Sequence, residues 1–287
     1  MQNFNFHGHT YRCGHADINY SDADYVKEAI ECGLKVLGFT EHAPNSVDKR
    51  INMRIGYDER YDYYESIDSL KAKYKDKIEI YKGFEVEFTG NNEKELKIFK
   101  NEIDFLILGQ HFIVNNGKVK IANYDRYTDE DLNIYAETIE KALDLGIISI
   151  LAHPDFVLLS RDDFGKKEEE MSHRICRACE KNDIVMEINL NKIFAKTYFD
   201  YKNKILKQYK DPSYYFDKIS NIKYPNKKFW EIVSLYDVRV VYGIDSHFKG
   251  QLSLFSELKR IANHIIGEDI INKLEFYEMN DCRKRKR

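Results

Sequence analysis

A single α/β barrel is the fold class that this sequence predicts, on three observations. Short apolar runs alternate with amphipathic helical stretches, giving roughly seven strand–helix units. No internal repeat and no Gly/Ser or Pro linker tract interrupts them. Nine positions, namely seven of the chain's nine histidines and two carboxylates, fall at or just after the carboxyl ends of the expected strands: His7, His9, His15, His42, Glu85, His111, His153, Asp245 and His247. All strand carboxyl ends of a parallel barrel open on one face, so groups remote in sequence converge there.

The elements follow in order. Residues 3–6 read as a short strand and 22–32 as a helix with apolar Ala23, Val26, Ala29 and Ile30, closed by Gly33. Residues 36–39 form the next strand, with Thr40, Glu41 and His42 at its end. A long amphipathic helix over 58–74 carries the stripe Tyr61, Tyr64, Ile67 and Leu70, and the strand begun at 78–81 leads to Glu85. Strand 104–108 precedes Gly109-Gln110-His111; helix 129–145 ends at Gly146; strand 147–151 runs into His153-Pro154-Asp155. A helix over 172–182, strand 184–188, a helix around 227–236 and strand 238–242 complete the series, the last ending in Gly243-Ile244-Asp245-Ser246-His247. His173 and His264 fall within expected helices and read as structural or solvated.

Composition narrows the function classes. A hydrophobic content of 43% supports a buried core, and a net charge of -3 gives no field suited to nucleic acid or a membrane surface. With no apolar run near the ~18 residues of a membrane span and no leader-like start, the chain reads as cytoplasmic. Cys13, Cys32, Cys176, Cys179 and Cys282 form an odd set without disulfide-framework spacing, which fits a reducing compartment. Cys176 and Cys179 lie on one helix face with no second pair to complete a zinc site, so they are expected to pack in the core.

The strand-end groups point to a multinuclear metal site. His7 and His9, two apart on a strand, point the same way and suit one ion. Imidazole with carboxylate accommodates zinc, manganese or iron without selecting among them. Three divalent ions, about +6 in charge, would meet only two carboxylates, and so positive a site favours a phosphate ester dianion. Such ions polarise phosphoryl oxygens and bring the pKa of a bound water toward ~7.

The runs His7-Gly8-His9-Thr10, Cys13-Gly14-His15-Ala16 and Gly38-Phe39-Thr40-Glu41-His42-Ala43-Pro44 resemble the polymerase and histidinol phosphatase (PHP) family, in its histidinol-phosphatase branch. So do Gly83-Phe84-Glu85-Val86-Glu87, Gly109-Gln110-His111-Phe112-Ile113, His153-Pro154-Asp155, Glu187-Ile188-Asn189 and Gly243-Ile244-Asp245-Ser246-His247. The resemblance runs from Phe4 to about Leu254; Gln110, Ile244 and Ser246 depart from the usual pattern without removing a ligand. It implies a distorted (β/α)7 barrel, one domain over residues 1–280; the basic tail 281–287 reads from its charge run as a solvated, disordered end. It implies three metal ions: His7, His9, Glu85 and Asp245 on one, Glu85 bridging to a second completed by His111 and His153, and His15, His42 and His247 on the third. The implied reaction is hydrolysis of L-histidinol phosphate, a step of histidine biosynthesis, by in-line attack of a metal-bound hydroxide without a phosphoenzyme. A related small phosphate ester or a nucleic-acid end is the alternative substrate, and a non-catalytic metal-binding module the alternative class.

Arg54 and Arg161 are the preferred phosphate-binding arginines, with Arg12 a third candidate, because guanidinium stabilises charge on a transferring phosphoryl group. Catalytic roles thus fall to Arg54, Arg161 and Asp245. Glu87 suggests a partner to a ligand, Asn189 an orienting group, and Asp155 a hydrogen-bonding neighbour of His153 or a cap. The aromatic and lysine-rich stretch 195–228 mostly reflects the richness of the whole chain in Tyr, Phe, Lys, Asn and Ile, with a lid or rim over the site as the second reading.

Overall fold

The computed structural model describes residues 2–45, 53–122, 124–195 and 224–279. The basic tail and most of the aromatic stretch, Tyr198 to Phe216, lie outside the described residues. Eight parallel strands form one sheet in chain order: β1 (Phe4–Asn5), β2 (Val36–His42), β3 (Glu79–Val86), β4 (Phe105–Leu108), then β7 (Ile150–Leu151), β8 (Val185–Asn189), β9 (Arg239–Gly243) and β10 (Glu275–Phe276). The crossovers carry α1 (Asp22–Glu31), α2 (Arg60–Tyr74), α3 (Glu93–Glu102), α4 (Asp129–Leu143), α5 (Lys166–Asn182), α6 (Lys227–Val233), α7 (Phe255–Ile266) and α8 (Glu268–Ile271). Among the described residues no helix is long and apolar enough to cross a membrane.

The sheet curls until the segments that follow β1 and β9 meet. Gly8 bridges Ser246 in parallel, His9 N donates to Ser246 O at 2.8 Å, and Asp245 N donates to His7 O at 3.0 Å. Below this seam, side chains replace the ladder: Ile244 N donates to Asn5 Oδ1 and Tyr242 N to Gln2 Oε1. At the opposite end β10, which nothing in the apolar pattern signalled, pairs with β9, and Tyr277 packs edge-on against Phe4. The seven expected strands therefore close as a barrel, with a short eighth at its base.

Two apolar layers hold the barrel. The larger lies between sheet and helices and contains Cys176 and Cys179, both fully buried, as their helix face predicted. The smaller fills the barrel floor with Phe4, Val36, Phe105, Ile107, Ile150, Val185 and Val241. Because side chains two apart on a strand share a face, Val185 leads to Glu187 and Asn189, and Tyr81 to Gly83 and Glu85, so the polar site sits directly on this floor. β2 and β3 run further than the apolar pattern indicated, carrying His42 and Glu85 within the strands. One further element was not anticipated: the hairpin β5 (Phe112–Asn115) and β6 (Lys118–Ile121), whose Asn116-Gly117 turn has φ of 50° and 73°, suited to a tight primed turn.

Candidate metal centre

At the carboxyl end of the barrel the structure brings the expected donors together around Glu85. Its Oε2 lies 3.5 Å from His7 Nε2, 3.4 Å from His9 Nε2 and 2.9 Å from His42 Nδ1. Its Oε1 lies 2.7 Å from His153 Nε2 and 3.5 Å from His111 Nε2. Asp245 Oδ1 is 3.1 Å from His9 Nε2, 3.5 Å from His7 Nε2 and 3.4 Å from His247 Nδ1. The His15 ring centroid is 4.4 Å from that of His247 and 5.3 Å from that of His42. His42 stacks on His9 with ring centroids 4.1 Å apart and turns Nδ1 to Glu85, so it stands between the two clusters.

This donor set fits metal ions. An ion with bonds of about 2.1 Å needs donors spaced roughly 3.0–3.5 Å apart, the spacing seen around Glu85 and Asp245. Glu85 Oε2, His42 Nδ1 and His247 Nε2 are buried yet lack a hydrogen-bond partner, an expensive arrangement unless a cation satisfies them. His153 and Asp245 also hold left-handed backbone, with φ of 33° and 51°, the kind of strain that functional sites retain. His173, by contrast, bonds Tyr236 Oη on the outer surface, and His264 is exposed.

A second ring of carboxylates stands behind the histidines. Glu187 Oε2 is 2.7 Å from His7 Nδ1, Glu87 Oε1 is 2.9 Å from His111 Nδ1, and Glu41 Oε1 is 3.7 Å from His9 Nδ1. All three are at most 2% exposed. The expectation of only two carboxylates is thereby corrected: Glu41, Glu85, Glu87, Glu187 and Asp245 all surround the donors, which leaves a loaded centre only modestly positive. The pattern offered a signal for two of them, since Glu187 and Asn189, like Glu85 and Glu87, are two apart on a strand. Asn189 Nδ2 joins Glu187 Oε1 at 2.7 Å to Asp245 Oδ2 at 3.1 Å, and Asn191 Nδ2 donates to Asp245 O at 2.7 Å.

Charge within the cluster is strongly redistributed. Although burial opposes it, Glu187, Asp245 and Glu85 hold the His7 imidazolium well above its ordinary pKa. Against burial, Asp245 and Glu41 raise His9 to about 9. Burial and the positive His9 push His42 and His247 well below the usual histidine value. Despite burial, the surrounding imidazoles hold Glu85 and Asp245 well below the carboxylate range. Metal uptake at pH 7 is therefore expected to release protons and to strengthen as the pH rises toward the range near 9 in which His9 loses its own. Calorimetry in buffers of different ionisation enthalpy measures this, and proton-neutral uptake would contradict the ligand roles of His7 and His9.

A cavity of about 260 Å³ opens over the donors. Its wall includes Arg54, Lys192, Asn191, Phe156, Tyr124 and Phe248. Arg54 donates through Nη2 to Glu87, while its Nε and Nη1 are buried without partners. Arg161 does not take the expected place beside it. Its guanidinium bonds Glu168, the Tyr127 carbonyl and Asp129, which fastens the start of α5 to α4, and it is absent from the cavity wall. Arg12 is likewise held by Asp22 and Thr10. Lys192 instead supplies the second cation, its pKa lowered by burial; no motif marked it, since its position depends on the turn after β8. Asp155 accepts from Asn226 N at 2.6 Å and Trp230 Nε1 at 3.2 Å, anchoring α6, and burial raises its pKa to about 6.

Comparison with known proteins agrees with this architecture. A Bacillus subtilis histidinol-phosphatase is 30% identical over 151 residues, a match that covers 49% of this chain and about half, 55%, of the relative's length. Histidinol phosphate phosphatase from Lactococcus lactis, solved with zinc, L-histidinol and phosphate, superposes with a TM-score of 0.63 at 20% identity, covering 91% of this chain and 94% of that one. A hisK structure from Listeria monocytogenes gives 0.66 at 20% identity, covering 86% and 96%. At such identity the structural likeness speaks for the fold. A family model for the PHP domain matches residues 5–191, well over half of the chain, and spans the donors from His7 to His153; the chain belongs to the PHP domain family.

Proposed function

We propose that this protein is a metal-dependent phosphomonoesterase and that L-histidinol phosphate is its substrate. The observation that carries the reading is the junction of two features in one small cavity: a histidine cluster gathered around Glu85, and on the wall the Arg54 guanidinium, whose Nε and Nη1 lack partners. His7, His9, Glu85 and Asp245 would hold one ion, Glu85, His111 and His153 a second, and His15, His42 and His247 a third. When bound, such ions supply Lewis acidity to phosphoryl oxygens and make water nucleophilic near neutral pH.

The chain's own groups do the remaining work. Arg54 stands on the wall with Nε and Nη1 unpartnered, and its guanidinium would turn this planar donor pair to phosphoryl oxygens. Lys192 adds a positive charge on the wall of the same cavity. Asn189 and Asn191 hold Asp245 from two sides and so fix its direction. Phe156, Tyr124 and Phe248 present an apolar, aromatic seat for the ring of the leaving alcohol. The cavity's size suits a small ester better than a duplex end, which also fits the relatives named histidinol-phosphatase.

The test is release of inorganic phosphate from L-histidinol phosphate, beside an aryl phosphate and a DNA end, by manganese- or zinc-loaded protein. Chelator-sensitive turnover of histidinol phosphate above the others is expected. Preference for another ester would overturn the substrate, and metal uptake without hydrolysis of any ester would overturn the enzyme.

A further inference from the structure

One carboxylate oxygen meets two donors at the edge of the cavity. Glu87 follows the last residue of β3 and is 2% exposed. Its Oε1 accepts from Arg54 Nη2 and also faces His111 Nδ1 at 2.9 Å, while its Oε2 is buried without a partner. Glu85, two residues earlier, faces the other ring nitrogen of His111, Nε2, at 3.5 Å. His111 thus lies between two carboxylates. A proton on Nδ1 is required if the ring is to donate to Glu87, and this leaves the Nε2 lone pair directed at Glu85.

We infer that Glu87 is a positioning residue that couples metal binding to anion binding: it sets the His111 tautomer and, through the same oxygen, aims Arg54 into the cavity. The inference rests on the phosphoesterase reading for the anion's role, though not for the identity of the alcohol. Its physical basis is the shared oxygen. Glu87 Oε1 holds both donors, so an ion that fixes His111 fixes the carboxylate and, through it, the direction of the Arg54 guanidinium toward an anion. Linkage makes the effect reciprocal: a bound anion that engages Arg54 must stabilise the metal at His111 by the same factor.

The experiment uses the full chain and two probes, the metal itself and inorganic phosphate, so that failure to hydrolyse histidinol phosphate leaves it readable. Metal retention against a graded chelator and phosphate affinity by calorimetry are measured for the native protein, Glu87→Gln, Arg54→Ala and the double variant. Glu87→Gln is expected to weaken retention of one ion by about 10–100-fold, as loss of an outer partner does, and to weaken phosphate binding as well. Arg54→Ala is expected to weaken phosphate binding alone when metal is titrated without phosphate. With metal kept saturating, the double variant is expected to bind phosphate no worse than Arg54→Ala, because Glu87 then acts on phosphate through Arg54. Additive losses, or native retention and native phosphate affinity in Glu87→Gln, would overturn the coupling. Nitrogen-15 spectroscopy of the unmodified, metal-loaded chain needs no variant: a proton on His111 Nδ1 is expected, and one on Nε2 sinks the proposal.

Discussion

Glu85→Gln is expected to empty the metal centre and to lower phosphate release by more than about 10³-fold, the scale on which loss of metal-assisted activation acts. The substitution keeps size and shape but removes the negative charge that His7, His9, His42, His111 and His153 all face within 3.5 Å. It also places an amide N–H₂ against ring nitrogens that need an acceptor or a cation. Outer partners of metal ligands are worth about 10–100-fold in affinity, so the group that meets five imidazoles should be worth more. Metal content by elemental analysis after dialysis, read beside turnover, decides the matter. Retention of the full metal complement by the Glu85→Gln variant would show that Glu85 is not the bridge.

Gly109→Ala should have an effect of similar size, although Gly109 has no chemistry of its own. A Cβ at this position would overlap the carboxylate of Glu85. Glu85 must move or the end of β4 must shift, and β3 and β4 are held in register as far as Val86 and Leu108. Overpacking of this kind costs about 1–3 kcal/mol, which a domain of this size survives, so folded protein with poor metal retention and little turnover is the expected product. Gly243→Ala is its control in the second ring, because the added Cβ meets Glu187 behind His7 rather than a proposed ligand. Comparable metal loss and comparable turnover in the two variants would show that proximity to Glu85 is not what makes Gly109 necessary.

Much of this was readable in the order of residues. Strand–helix alternation is written in hydrophobic period, and the donors stand at one phase of that period, so barrel and metal site could be expected together. The short helix-free signals were harder. The Asn116-Gly117 hairpin was marked by a strong local turn pair between apolar Phe112-Ile113-Val114 and alternating Lys118-Val119-Lys120-Ile121, but each arm is only four residues long and the first adjoins the donor His111. β10 consists of two residues and owes its pairing to β9 alone.

Residue order alone was enough to say which side chains can bind a metal, which strands present them and that Cys176 and Cys179 belong to the core, because each depends on side-chain type and local period. Folding in three dimensions was needed to settle which carboxylates stand behind the histidines, that Arg54 faces the cavity while Arg161 braces α4 and α5, and that Lys192 joins the wall. Those outcomes turn on a few ångströms between segments far apart in the chain, such as the 180 residues separating His7 from Glu187. Direction and distance across a barrel mouth arise from how every strand is tilted and closed, and no local pattern encodes them.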